Sequence, residues 1–309
     1  MSDIRLFKTQ GNKVTQLAGG SVALEKSLQN LIETHLETFL GVRLLASEHP
    51  TSGSTSGRID TLGIDENGCP VIIEYKRSTN QNVINQGLFY LNWLMEHRAE
   101  FTLMVLNKFG KAVSESVEWS NPRLICIASN FTKFDEHAVQ QMNRNIDLMR
   151  YLRFGDELLL LELVNAVQTS QTVAPSKPTK KKTRPGTKST QAKSIADYLS
   201  RADTELQDLY HATREFLVNL GDDVIEKQLK WYYAFRRIKN FACLVIHPNK
   251  KQLLVFLHLD LKPSELEKGF TVDVSGKGHQ GTGNLQVIIK SMQHLERAKP
   301  LLIRSYESR

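Results

Sequence analysis

The sequence predicts an α/β domain joined by a basic linker to a smaller α+β domain. Three observations carry this. A chain of 309 residues with 40% hydrophobic content is long enough for two cores. Before residue 166 the apolar pattern reads helix, three strands, helix and further strands. Residues 166–194, AVQTSQTVAPSKPTKKKTRPGTKSTQAKS, hold almost nothing that a core could bury. The expected division is therefore a first domain over 1–165, a disordered basic linker over 166–194 and a second domain over 195–309.

In chain order, residues 1–20 read as a short hairpin. SVALEKSLQNLIETHLETFL predicts a helix over about 22–40 whose stripe of Leu28, Ile32, Leu36 and Phe39 buries against a sheet. A strand near 42–48 follows, and then GRIDTLGIDENGCPVIIEYKR, two apolar runs hinged about Asn67-Gly68, predicts a hairpin over 58–77. NQNVINQGLFYLNWLMEHR predicts a helix over 81–98 with Ile84, Leu88, Leu91 and Met95 as its buried stripe. Strands are expected at 101–107, 123–129 and 157–164. Past the linker, DTELQDLYHATREFLVNLG is helical in pattern, and FACLVIHPNKKQLLVFLHLD reads as two strands about a Pro-Asn-Lys-Lys turn.

Composition bounds the function. Cys69, Cys126 and Cys243 lie far apart with no C-x-x-C pair, which excludes a disulfide framework and a zinc ribbon and points to a reducing compartment. The longest greasy stretch, LLLLELV, falls far short of the roughly 20 residues that cross a bilayer, so a cytoplasmic protein without a membrane partner is expected. The net charge is +7, and the linker alone supplies seven cations and no acid, so the rest of the chain is formally neutral. The strip is either a solubilising spacer or a tether that tracks phosphates through Lys180, Lys181 and Lys182.

The hairpin carries chemistry. Glu74 and Lys76, two apart, leave the strand on one face, while Val71 and Ile73 take the other. A turn centred on Asn67 sets residues whose numbers sum to 134 opposite each other, which makes Asp60 and Glu74 cross-strand neighbours with Cβ atoms about 5 Å apart. Two carboxylates that close repel, which raises a pKa or recruits a hard divalent cation, Mg²⁺ or Mn²⁺. On the hairpin alone, a solvated face with an ordinary ion pair fits the same residues. The two helices tip the balance. Glu25 projects within about 20° of Ile32 and Leu36, and a carboxylate on a buried stripe needs a partner such as that metal. His35, close to the same stripe, reads as a packed, hydrogen-bonded imidazole. On the second helix Gln86, Tyr90, Trp93 and His97 align opposite the apolar stripe, where aromatics beside an amide suit contact with a substrate.

These residues resemble the PD-(D/E)XK nucleases, in particular the catalytic domain of the archaeal and actinobacterial NucS endonucleases. That group has, in order, an acid on its first helix, G-x-I-D, V-x-x-E-x-K and Q-x-x-x-Y. Here they are Glu25, then Gly57, Ile59 and Asp60, then Val71, Glu74 and Lys76, then Gln86 and Tyr90. The resemblance covers about residues 20–130. It implies a restriction-endonuclease-like core, a mixed sheet flanked by helices, with Asp60 and Glu74 ligating Mg²⁺, Glu25 assisting, Lys76 orienting the attacking water, and Gln86 and Tyr90 gripping the substrate backbone. The family's N-terminal DNA-binding domain has no counterpart in the 20 residues before the first helix, so only the chemistry carries over.

Residues 195–309 are similar to an uncharacterised domain found appended to predicted nucleases, through KWYYAFRRIKNFACL, DVSGKGHQGTG and LIRSYE. Interleaved aromatics and cations, among them Arg236 and Arg237, suit stacking on bases and contact with phosphates; a strand with an aromatic core and a cationic rim is the plain alternative. Arg77 at the hairpin's end is counted with the phosphate contacts. The glycine-rich run 276–283 lacks the lysine of a P-loop and reads as a mobile turn. The expected function is a Mg²⁺-dependent endonuclease acting on DNA, with RNA not excluded, in defence or repair; the alternative is a non-catalytic nucleic-acid-binding or adaptor protein on a nuclease-like scaffold. Cutting both strands would take a homodimer or two events, and the second domain is the candidate surface for a protein partner.

Overall fold

The computed structural model describes residues 4–21, 25–52, 57–76, 83–164 and 194–309. The linker expected over 166–194 therefore lies, but for Ser194, outside the described residues. The described residues divide into two compact units, one of those up to 164 with 236–240 and 309, the other of 194–235 with 241–308.

The first unit opens with the hairpin β1 (Leu6–Gln10) and β2 (Lys13–Leu17). Its main sheet is mixed and seven-stranded. The strands are β3 (Gly19–Gly20), β4 (Val42–Thr51), β5 (Gly57–Asp65), β6 (Pro70–Lys76), β7 (Arg123–Ala128), β8 (Asn145–Phe154) and β9 (Leu158–Leu163). The order is β3-β8-β7-β6-β5-β4, with β9 also on β8. The β4–β5 and β5–β6 pairs are antiparallel, whereas β6–β7 and β7–β8 are parallel. Helices cover both faces, as the near-continuous apolar runs of the parallel strands require. On one face α1 (Glu25–Thr34) and α2 (Leu36–Leu40) bury Leu28, Ile32, Leu36 and Leu40 against Val71, Ile73, Tyr75, Ile125 and Ile127. On the other, α3 (Val83–Glu96) and α4 (Arg98–Phe109) pack with Leu62, Ile64, Ile72, Leu124 and Cys126. The chain then runs through α5 (Lys111–Glu115) and α6 (Lys133–Gln141).

Three expectations are corrected. The first helix breaks at His35, whose ψ of 35° at φ −126° is not helical, and the imidazole is exposed rather than packed. Residues 101–107 are helix, not strand: Phe101 and Val105 are buried one turn apart while Leu103 and Leu106 are exposed, and a short apolar run does not separate the two states. Strand β8 was not among the expected strands; within it Asp147 is buried on an ion pair from Arg123 Nε at 2.6 Å.

The second unit is α+β. Its six-stranded sheet has the order β10-β11-β12-β13-β15-β14, from Ile225–Gln228, Tyr233–Arg236, Asn240–His247, Gln252–Leu257, Leu285–Ile289 and Thr271–Asp273 respectively. Strands β12 and β13 are the expected pair, joined by a 3-10 turn over Pro248–Lys250. Helices α7 (Ile195–Ser200), α8 (Thr204–Val218) and α9 (Met292–Glu307) complete it, and its core gathers Leu206, Tyr210, Phe235, Phe241, Leu244, Val255 and Leu302. Among the described residues no helix is long and apolar enough to cross a membrane.

Candidate metal centre

The turn of the β5–β6 hairpin is tied by its own aspartate. Asp65 Oδ1 accepts from Asn67 N at 2.8 Å and Cys69 N at 2.9 Å, and Gly68 takes a φ of +78° that favours glycine. This turn fixes the register. Thr61 faces Ile73 and Leu62 faces Ile72, and the paired ladder ends there, one residue short of Asp60 and Glu74. The side chains interlock: Glu74 Oε1 accepts from Asp60 N at 3.3 Å, and Asp60 Oδ2 accepts from Tyr75 N at 3.0 Å.

Their surroundings differ. Glu74 is fully buried, and among the described residues its Oε2 has no hydrogen-bond partner. Burial, followed by the charge of Asp60, pushes its carboxyl up to about 9, so in the absence of a cation it holds a proton at neutral pH. Asp60 is half-buried; burial raises its pKa, while the Tyr75 N–H and then Lys76 act to lower it. Lys76, the last residue of β6, is half-buried beside both acids, and among the described residues its ammonium makes no hydrogen bond or ion pair.

Glu25 opens α1, is half-buried and adds negative potential at Asp60 as the smallest of five influences. Among the described residues no three His, Cys, Asp or Glu side chains form a group that would hold a metal ion, so the expected triad reduces to the Asp60–Glu74 pair. The polar group that α1 buries is instead Gln29, whose Nε2 donates to Asp60 O at 2.8 Å and pins β5 beside the site.

Helix α3 is turned from the expected orientation. Of the expected stripe Ile84 and Leu91 are buried but Leu88 and Met95 only half-buried, and Val83, Gly87, Tyr90, Trp93 and Leu94 are buried besides. The cause is Gly87, where a Cβ would lie 2.5 Å from Leu124 Cδ1; its absence lets the helix sit close on β7. Trp93 is thereby a core residue, stacked on His97 at 4.5 Å, and is not presented to a substrate. Tyr90 is buried, and its hydroxyl accepts from Arg58 N at 3.1 Å and from Gln86 Nε2 at 3.4 Å. Gly57 makes room for it, since a Cβ there would lie 2.7 Å from the Tyr90 oxygen. Gln86 is half-buried beside it. Arg77, Lys180, Lys181 and Lys182 lie outside the described residues.

Arg236 is corrected as a phosphate contact: it is buried, within the first compact unit, with its Nη2 2.8 Å from Asp147 Oδ1. Arg237 is half-buried. Tyr232, Tyr233, Phe235 and Phe241 are buried, the last three in the core of the second unit, which decides for the plain reading of that aromatic stretch. The glycine-rich run is fastened rather than mobile: His279 stacks on Phe256 at 4.4 Å, and Thr282 N donates to Cys243 Sγ at 3.3 Å.

Residues 195–308 match the model of a family described as a domain of unknown function, DUF5655. A Haemophilus influenzae protein described as uncharacterized is 28% identical over 295 residues, covering 95% of this chain and 96% of that one. Among solved structures, the chain is similar to a repair endonuclease from Pyrococcus abyssi at 19% identity and a TM-score of 0.25, over 44% of this chain and 51% of that one. It is similar also to the EndoMS-dsDNA2 complex at 15% identity and a TM-score of 0.25, over 48% of this chain and 64% of that one. The chain thus spans between half and two thirds of those structures, and a TM-score of 0.25 carries no argument about function.

One charged residue beside the site was not anticipated. In the β4–β5 ladder Ser47 faces Thr61 and His49 faces Ile59, which puts Glu48 level with Asp60. Its φ of +52° is left-handed, rare for a residue with a side chain. Its carboxylate meets Lys26 Nζ at 2.6 Å and Arg58 Nε at 2.7 Å, and the Lys26 hydrogen bond leads the influences that hold its pKa below the ordinary value. The signal lay in the register: once Asp60 is set beside Glu74, the residue of the preceding strand at that level completes a row of acids.

Proposed function

We propose that the first unit is a divalent-cation-dependent phosphodiesterase acting on DNA, with Asp60 and Glu74 as the cation's protein ligands. The observation that carries this is the fully buried Glu74, whose Oε1 accepts from Asp60 N and whose Oε2 has no hydrogen-bond partner among the described residues, beside the Lys76 ammonium. A carboxyl in such a place is destabilised as an anion and stays neutral unless a cation supplies the missing interaction. The donors fit Mg²⁺ or Mn²⁺, which are ordinarily held by one or two carboxylates, with waters and substrate phosphate completing the shell. When bound, such an ion supplies Lewis acidity toward a phosphoryl oxygen and lowers the pKa of a neighbouring water.

The chain's own residues do the rest. Glu74 would hold the cation as a deprotonated carboxylate, and Asp60, kept in place by the Tyr75 N–H, would be its second protein ligand. Lys76 aligns a water for in-line attack on phosphorus and offsets negative charge as the new P–O bond forms and the ester P–O bond breaks. Tyr90 acts indirectly, by fixing the start of β5 through the Arg58 N–H. The second reading, a nucleic-acid-binding scaffold without catalysis, is favoured by the lack of a third acid in the ligand group. A plasmid-nicking assay separates the two. Mg²⁺-dependent nicking that EDTA stops, and that Asp60→Asn, Glu74→Gln and Lys76→Ala each abolish while DNA binding persists, is the expected result; no nicking by the wild type, or nicking at wild-type rate in all three variants, overturns the proposal.

A further inference from the structure

We propose that Lys26 and Arg58 form a clamp for a DNA backbone phosphate, and that Glu48 is the internal counter-ion which the phosphate displaces. The inference rests on the functional reading above for its choice of ligand. Each carboxylate oxygen of Glu48 meets a different cation, Oε1 with Lys26 Nζ at 2.6 Å and Oε2 with Arg58 Nε at 2.7 Å. The two cations are thus already spaced to bind two oxygens of one anion. They come from separate elements, Lys26 from α1 and Arg58 from β5, and both side chains are more than half exposed, against 30% for Glu48. A backbone phosphodiester offers the same geometry, two anionic oxygens sharing one negative charge, and can approach from solvent.

The clamp stands beside the Asp60–Glu74 pair. Arg58 and Asp60 are two apart on β5, and Glu48 lies between the β4 residues that pair with Thr61 and Ile59, level with Asp60. The charge of Glu48 raises the pKa of both Asp60 and Glu74, which places its carboxylate within electrostatic reach of each. A further observation sets this ion pair apart from an ordinary surface strut. Glu48 keeps a left-handed backbone inside a strand, a conformation that the surroundings must hold in place. Lys26 is steadied besides by a bond to Gln29 Oε1 at 3.2 Å, and the Arg58 N–H by the Tyr90 hydroxyl at 3.1 Å. The cations are therefore positioned from behind, and the carboxylate is the exchangeable member.

The test is fluorescence anisotropy of a labelled DNA duplex with the full chain in EDTA, over a range of salt concentrations. Lys26→Gln and Arg58→Gln are each expected to flatten the slope of log K against log salt by about 0.9, the value for one phosphate contact. Lys26→Arg, which keeps the charge, should retain the wild-type slope. Glu48→Gln removes the competitor and should tighten binding about fivefold, the scale of an exposed ion pair. Unchanged slopes in both Gln variants, or no tightening in Glu48→Gln with its thermal unfolding intact, overturns the proposal. Nicking with Mg²⁺ is scored separately: a nuclease with unchanged slopes refutes the clamp alone, whereas flattened slopes without nicking keep the clamp and refute the catalytic reading.

Discussion

Replacing Glu74 by Gln should make the protein more stable near neutral pH in EDTA, by an amount that grows with pH. The carboxyl has an ordinary pKa of 4.5 in the unfolded chain and about 9 in the fold. Between those values the unfolded state has released a proton that the folded state keeps, so stability falls as pH rises. The contribution is fully present below pH 4.5 and lost as pH rises through about 9. One proton difference corresponds to about 1.4 kcal/mol per pH unit, and at pH 7 the accumulated penalty is about 3 kcal/mol. The residue is fully buried, so no solvent screening reduces this. Gln keeps the shape and has no proton to lose. Urea melts of wild type and Glu74→Gln at pH 5.5, 7 and 8 should therefore diverge by about 3 kcal/mol over that range, with the variant the flatter. Asp60 is raised in the same direction and leaves the variant some residual slope. Equal pH dependence of the two proteins would refute the account of Glu74 as a buried neutral acid.

Tyr90→Phe leaves the Arg58 N–H without its acceptor and should lower stability by about 1–2 kcal/mol in a denaturant melt. Asp147→Ala strands the buried guanidiniums of Arg123 and Arg236, with an expected loss of about 3–5 kcal/mol in the same measurement. Burial opposes the charge of Asp147, but the two arginines outweigh it and hold its pKa well below the ordinary 3.8. The stabilisation from this residue is therefore present above pH 3.8 and lost as pH falls below it, so an acid titration monitored by circular dichroism should show Asp147→Ala losing less of its remaining stability than the wild type.

The hairpin was legible because strand alternation and a turn with one good solution leave a single register, and that register brings Asp60 within hydrogen-bond reach of Glu74. The helices were harder. The hydrophobic pattern of α3 contains two overlapping stripes, and the choice fell to Gly87, whose meaning depends on the distance to Leu124 on another strand. Trp93 was accordingly read as outward. Strand β8 was hidden because Asp147 and Arg150 look like surface residues until their partners are known. Glu48 was missed for a related reason: its importance lies in a left-handed backbone and in two cations from elsewhere in the chain, neither of which periodicity reports. Glu25 was expected as a ligand from helix geometry, which fixes direction about an axis but not the distance from that axis to the hairpin.

The most direct test of the metal centre is an anomalous difference map from a crystal of the full chain soaked in Mn²⁺. A peak between the carboxylates of Asp60 and Glu74, absent from Glu74→Gln crystals soaked in the same way, is the predicted result. At saturating Mn²⁺, a map with no peak between those two side chains contradicts it.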